Sequence, residues 1–122
     1  MTTELKKVVQ SILHPIIPQT YYFDVPSGDF PYCTFELRDV RGEEGIDKYV
    51  LEINLANYGT DDQTVNDIES LTRQVVNAFD YLRYKNSKLS CYSYVDKIDP
   101  IRETDRKINR RRIMINLTNY EV

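Results

Sequence analysis

The sequence predicts an α+β domain: a mainly antiparallel sheet of four to five strands, with mixed pairing left open, and two helices packed on one face. Three observations predict it. Between Val65 and Leu82 the apolar residues fall at Val65, Ile68, Leu71, Val75, Val76, Phe79 and Leu82, the spacing that lines one side of a 3.6-residue helix. Leu5, Val8, Val9, Ile12 and Leu13 repeat that spacing near the start of the chain. Other segments alternate apolar and polar residues, as half-buried strands do. Elements with one apolar side each are joined most simply by laying both helices on one sheet face. The other face is then half polar and tyrosine-bearing, available to a partner.

In order, Thr3 to about His14 reads as the first helix, capped by Thr2 or Thr3 and stopped by Pro15 and Pro18. Tyr21, Tyr22 and Phe23 form a short β-prone segment, an edge strand at most, before the turn at Val25-Pro26-Ser27-Gly28-Asp29. The first firm strand runs from Tyr32 to Arg38 or a little beyond, with Cys33, Phe35 and Leu37 on one side. Gly42-Glu43-Glu44-Gly45 reads as a mobile acidic loop, and Lys48 to Asn57 as the strand that completes a hairpin. Its tip is either an arm that reaches a neighbour or a floppy loop. The stretch Thr60 to Tyr84 holds the main helix, about 23 residues and roughly 35 Å long. Thr60 and Gln63 form a reciprocal capping pair, with Asp61 and Asp62 at the positive end of the helix dipole. Leu89 to Val95 is the next strand, with Leu89, Cys91, Ser93 and Val95 on one face and Tyr92 and Tyr94 on the other. Asp96 to Lys107 reads as a charged surface loop. Arg110 to Thr118 is the last strand, with Ile113, Ile115 and Leu117 inward.

The chain of 122 residues reads as one domain, 1–122, large enough to bury a core without disulfides or metal. Cys33 and Cys91 are isolated and read as buried free thiols. The polar start carries no signal sequence, and no run is long enough to span a bilayer, so no membrane partner is expected. The net charge of −3 hides an asymmetry: Glu36 to Glu69 nets −7, whereas Ser70 onward nets +5. Such polarity suits ring association between copies, in which one acidic patch meets the next basic one, or else it marks two solvated faces of a monomer.

Catalytic constellations are not found. The single histidine, His14, sits between a helix end and a proline, where it serves the helix terminus. Asp96, Asp99, Glu103 and Asp105 lack the spacing and glycine of a calcium loop, and there is no glycine-rich phosphate motif. No enzyme activity, cofactor or metal is expected. The basic run Arg102, Arg106, Lys107, Arg110, Arg111, Arg112 is the one nucleic-acid signal; an arginine-guarded edge or a subunit contact explains it equally well. The candidate subunit or partner interface is therefore Glu43, Glu44 and Asp47, Arg106, Lys107, Arg110 and Arg112, with Tyr92 and Tyr94.

From Val25-Pro26-Ser27-Gly28-Asp29-Phe30-Pro31-Tyr32 onward, the chain resembles the tail terminator (tail completion) proteins of long-tailed bacteriophages. Those proteins are similar in size. They begin with an amphipathic helix that ends near a proline, place a Pro-Tyr step at the head of a strand, here Pro31-Tyr32, and follow a strand with a long capped helix. Two strands around a polar loop close the chain. The 42–47 loop departs from the group. The resemblance implies a virion protein, made in the host bacterial cytoplasm. It forms a homo-oligomeric ring, commonly of six copies, on the tail tube protein, stops tube growth and offers a docking surface to the head connector or stopper. DNA passes through such a ring without sequence-specific binding. A neighbouring head-completion or connector subunit is a close variant. From another class comes a small nucleic-acid-binding module that uses Arg106 to Arg112 and the exposed tyrosines.

Overall fold

Alternation along the strands sorts side chains into an inner set that the helices cover and an outer set left open. The computed structural model describes residues 2–23, 29–101, 105 and 107–120. Of the expectations above, the turn at 25–28 and the residues Arg102, Glu103 and Arg106 lie outside the described residues. The elements are α1 (Thr2–Leu13), β1 (Thr20–Tyr22), β2 (Tyr32–Glu43), β3 (Ile46–Tyr58), α2 (Asp62–Phe79), β4 (Leu82–Lys85), β5 (Ser90–Ile101) and β6 (Ile108–Tyr120). The sheet has six strands, in the order β1-β2-β3-β6-β5-β4, rather than the four to five expected. It is mixed, because β1 runs parallel to β2 while every other pair is antiparallel. The α+β class and the helix-covered face agree with the sequence reading.

The register explains the core. Phe35 lies opposite Ile53 and Ile53 opposite Ile113; Leu37, Leu51 and Ile115 form the next row. These side chains meet Leu5, Val9 and Leu13 of α1 and Ile68, Val75 and Phe79 of α2 in one apolar cluster. Both amphipathic helices therefore lie on the same face. Burying each fully enclosed Leu, Ile or Phe contributes on the order of 2 kcal/mol, which is why the alternation predicted facing so well.

Several element boundaries differ from the sequence reading. The main helix stops at Phe79, and its cap is Asp61, whose carboxylate accepts from the Thr64 N–H at 2.7 Å. Gln63 turns to Asp67 instead of back to Thr60. Leu82, Tyr84 and their neighbours leave the helix to form β4, after Tyr81 takes a positive φ of 56°. The acidic 42–47 segment is not a loose loop: Glu43 pairs with Ile46, and only Glu44 and Gly45, at φ 79°, form the turn. A side chain at Gly42 would strike the Ile46 carbonyl, so the two backbones approach there as only glycine allows. Finally, residues 96–101 belong to β5, not to a surface loop. A bulge between Val95 and Lys97 lets the strand continue along β6 as far as Arg110. Pro100 is tolerated because β4 pairs with β5 only through Ser90–Ser93, which leaves an open edge at the proline. Helix α1 begins at Thr2, so Thr2 and Thr3 lie within it.

Candidate functional site

The outer face of the sheet is where surface chemistry collects, since α1 and α2 occupy the other. The two charged groups singled out from the sequence stand at opposite ends of the sheet. Asp47 lies opposite Asn119, while Arg110 lies opposite Ala56, nine positions further along β3 and so about 30 Å away. At the first end, the β2–β3 turn carries Glu43, Glu44 and Asp47. Among the described residues, none of these three is in an ion pair. Tyr92 and Tyr94 belong to this acidic end rather than to the arginines, with ring centroids 6.3 Å apart. Together with Val40, Glu43, Lys48 and Tyr120 they line a concavity of about 430 Å³. Val40, Tyr94 and Tyr120 are exposed there, and Arg83 stands 5.5 Å from the Tyr92 ring.

At the other end the basic residues are engaged within the chain. Arg110 donates to the Tyr32 hydroxyl at 2.9 Å, beside the Phe30, Tyr32 and Tyr58 rings. Arg112 pairs with Asp99 at 3.3 Å. Arg111 points to the helix face and holds Glu69 of α2, its Nε donating at 3.1 Å. A phosphate group would have to displace these acceptors. Lys107 is exposed, and its backbone carbonyl accepts from Gly59 N–H. Arg106 lies outside the described residues.

A third surface was not singled out from the sequence. Where α1 crosses the β1 edge, Lys6, Lys7, Gln10, His14, Tyr22 and Phe35 line an open groove of about 500 Å³. Only the path of α1 over the sheet edge creates it; the one sequence signal was the apolar pair Tyr22-Phe23 beside a short strand.

The thiols are held neutral: burial pushes Cys33 up to about 12 and Cys91 up to about 11. Among the described residues, no three His, Cys, Asp or Glu side chains are grouped to hold a metal ion. No helix among them is long and apolar enough to cross a membrane. The described surfaces offer carboxylates at one end of the sheet, aromatic rings on its outer face, and lysines over an apolar groove.

No protein-family model matches the chain, and no curated protein matches its sequence. Solved structures do share its fold. A chain from the virion of a native gene transfer agent particle aligns over 92% of this chain and 86% of its own length, with a TM-score of 0.61 and 14% sequence identity. A second solved chain aligns over 97% of this chain and 90% of its own length, with a TM-score of 0.63 and 12% identity. At these identities the likeness is one of fold.

Proposed function

We propose that this chain is a structural virion subunit of a phage-type particle, and that it is a tail terminator. In this reading six copies form a ring on the end of the tail tube. The ring halts tube polymerisation and presents a docking surface to the head connector, while DNA passes through without sequence-specific contacts. The protein is made in the bacterial cytoplasm, ends in the virion, and needs neither catalysis nor a cofactor. The observation that carries the proposal is the shared fold, over nearly the whole of both chains, with a subunit of a gene transfer agent virion. The resemblance in element order to tail terminators supports the finer role, and the uncovered acidic turn and aromatic outer face supply surfaces for contact.

A nucleic-acid-binding module is the competing class, and it loses ground because Arg110, Arg111 and Arg112 are already engaged with Tyr32, Glu69 and Asp99. Native mass spectrometry of the purified protein, followed by mixing with tail tubes and electron microscopy, separates the two. A closed oligomer near six subunits that caps tubes and stops their growth is expected. Lack of tube binding, together with salt-dependent DNA binding that Arg110→Glu with Arg112→Glu abolishes, would overturn the proposal. Binding to connector rather than tube would move the role to a neighbouring neck subunit.

A further inference from the structure

An uncovered groove and an uncovered turn carry matching chemistry on different parts of the chain. The groove under α1 has an apolar floor of Tyr22 and Phe35 and a cationic rim. Lys6 Nζ stands 3.9 Å from the Tyr22 ring centroid, and among the described residues the ion-pair partner of Lys7 is Glu4, at 3.8 Å with 71% of the lysine side chain exposed. Beside the groove, Phe23 is 70% exposed at φ 70°. That conformation is costly for a bulky residue, and its N–H is held by the Phe35 carbonyl at 2.8 Å. Its ring lies 6.4 Å from that of Tyr22, so the exposed Phe23 extends the groove's apolar surface. The β2–β3 turn offers the complement. Glu43, Glu44 and Asp47 are unmatched by any described cation, Val40 is 45% exposed and Ile46 is half-buried among them.

We propose that the groove under α1 receives the β2–β3 turn of a second copy of this chain. Ile46 seats against Tyr22 and Phe23, and Glu43 and Glu44 face Lys6 and Lys7. Charge complementarity selects this occupant. The obvious basic partner, the Arg110 to Arg112 run, is spent on the chain's own carboxylates and on Tyr32, whereas Lys7 is exposed with one long ion pair to Glu4 and the half-buried Lys6 lies over the Tyr22 ring without a carboxylate partner among the described residues. Groove and turn are distinct surfaces, so the contact is heterologous and repeats head to tail, closing a ring if the rotation allows. The inference rests on the ring-former reading for its biological setting.

The full chain tests it through two charge reversals, Lys6→Glu with Lys7→Glu and Glu43→Lys with Glu44→Lys, followed by native mass spectrometry and sedimentation. Each double variant is expected to weaken self-association about tenfold or more, and an equimolar mixture is expected to restore it as mixed assemblies. Should a reversed chain fold poorly, Ser11→Cys and Glu44→Cys chains are mixed with a short bismaleimide instead; the native thiols are buried and do not compete. A cross-link between the two variants, absent from either alone, supports the contact. A closed ring that neither reversal weakens overturns the contact and leaves the ring reading standing. Open dimers or chains, lost on reversal and restored on mixing, support the contact and overturn the ring. A strict monomer with no cross-link at any concentration overturns the contact, and the ring reading is then decided by the tube-mixing experiment alone.

Discussion

Ser93 shows how one hydroxyl settles where a helix stops. It is buried, and its Oγ donates at 2.6 Å to the Phe79 carbonyl, one of the acceptors that a helix end leaves unpaired. Asp80 completes the stop, its backbone N–H returning to Val76 and its carboxylate accepting from the Val95 N–H at 3.0 Å. Ser93→Ala removes this hydroxyl donor from the Phe79 carbonyl and should cost about 1–2 kcal/mol, read as a lower midpoint in chemical denaturation. An unchanged midpoint would mean that water replaces the hydroxyl. At the same scale, alternation with Ile113, Ile115 and Leu117 puts Arg111 on the helix-covered side of its strand, yet no local pattern tells that Glu69 waits there. The pair is 42 residues apart in the chain, and no local pattern reports such a meeting.

Among elements, α2 has the clearest prediction. Its cap Asp61 has a carboxyl held below the usual value of 3.8, chiefly by the hydrogen bonds from the Thr64 hydroxyl and N–H. Because the folded value is depressed, the cap contributes stability above the unfolded value and loses it as the pH falls through the folded one. Asp61→Ala should therefore lower the thermal midpoint at pH 6 and make little difference near pH 2; scanning calorimetry at the two values checks this. A gap that persists undiminished in acid would show that the cap acts through something other than its charge. The sequence put acids at this helix start correctly but chose Thr60 as the cap, one residue early. Thr60, Asp61 and Asp62 are all competent there, and the approach of the chain from β3 decides among them.

For the whole molecule, the strand order sets the order of opening. Strands β3 and β6 are paired on both sides, whereas β1 and β4 are edges of three and four residues. Hydrogen exchange should be slowest at Ile53, Leu55, Ile113 and Ile115, and fast at β1, β4 and the 43–46 turn in the dilute chain. On self-association, the 43–46 turn and residues 6–14 should gain protection together. Protection gained instead around Lys107 and Arg112 would place the contact at the opposite end of the sheet.

The sequence by itself determined the class, the two amphipathic helices, and which side of nearly every strand meets the core. These follow from local periodicity, because a residue's face is fixed by its neighbours three, four or two positions away. Only the tertiary structure decided where α2 ends, that residues 96–101 continue as a strand, and that Tyr92 and Tyr94 sit with the acids. It alone showed which arginines are already spent and that α1 leaves a groove at the sheet edge. Each of these depends on a partner supplied from a distant stretch of chain, and the free energy of that meeting, a hydrogen bond made or a charge paired, is absent from any single segment.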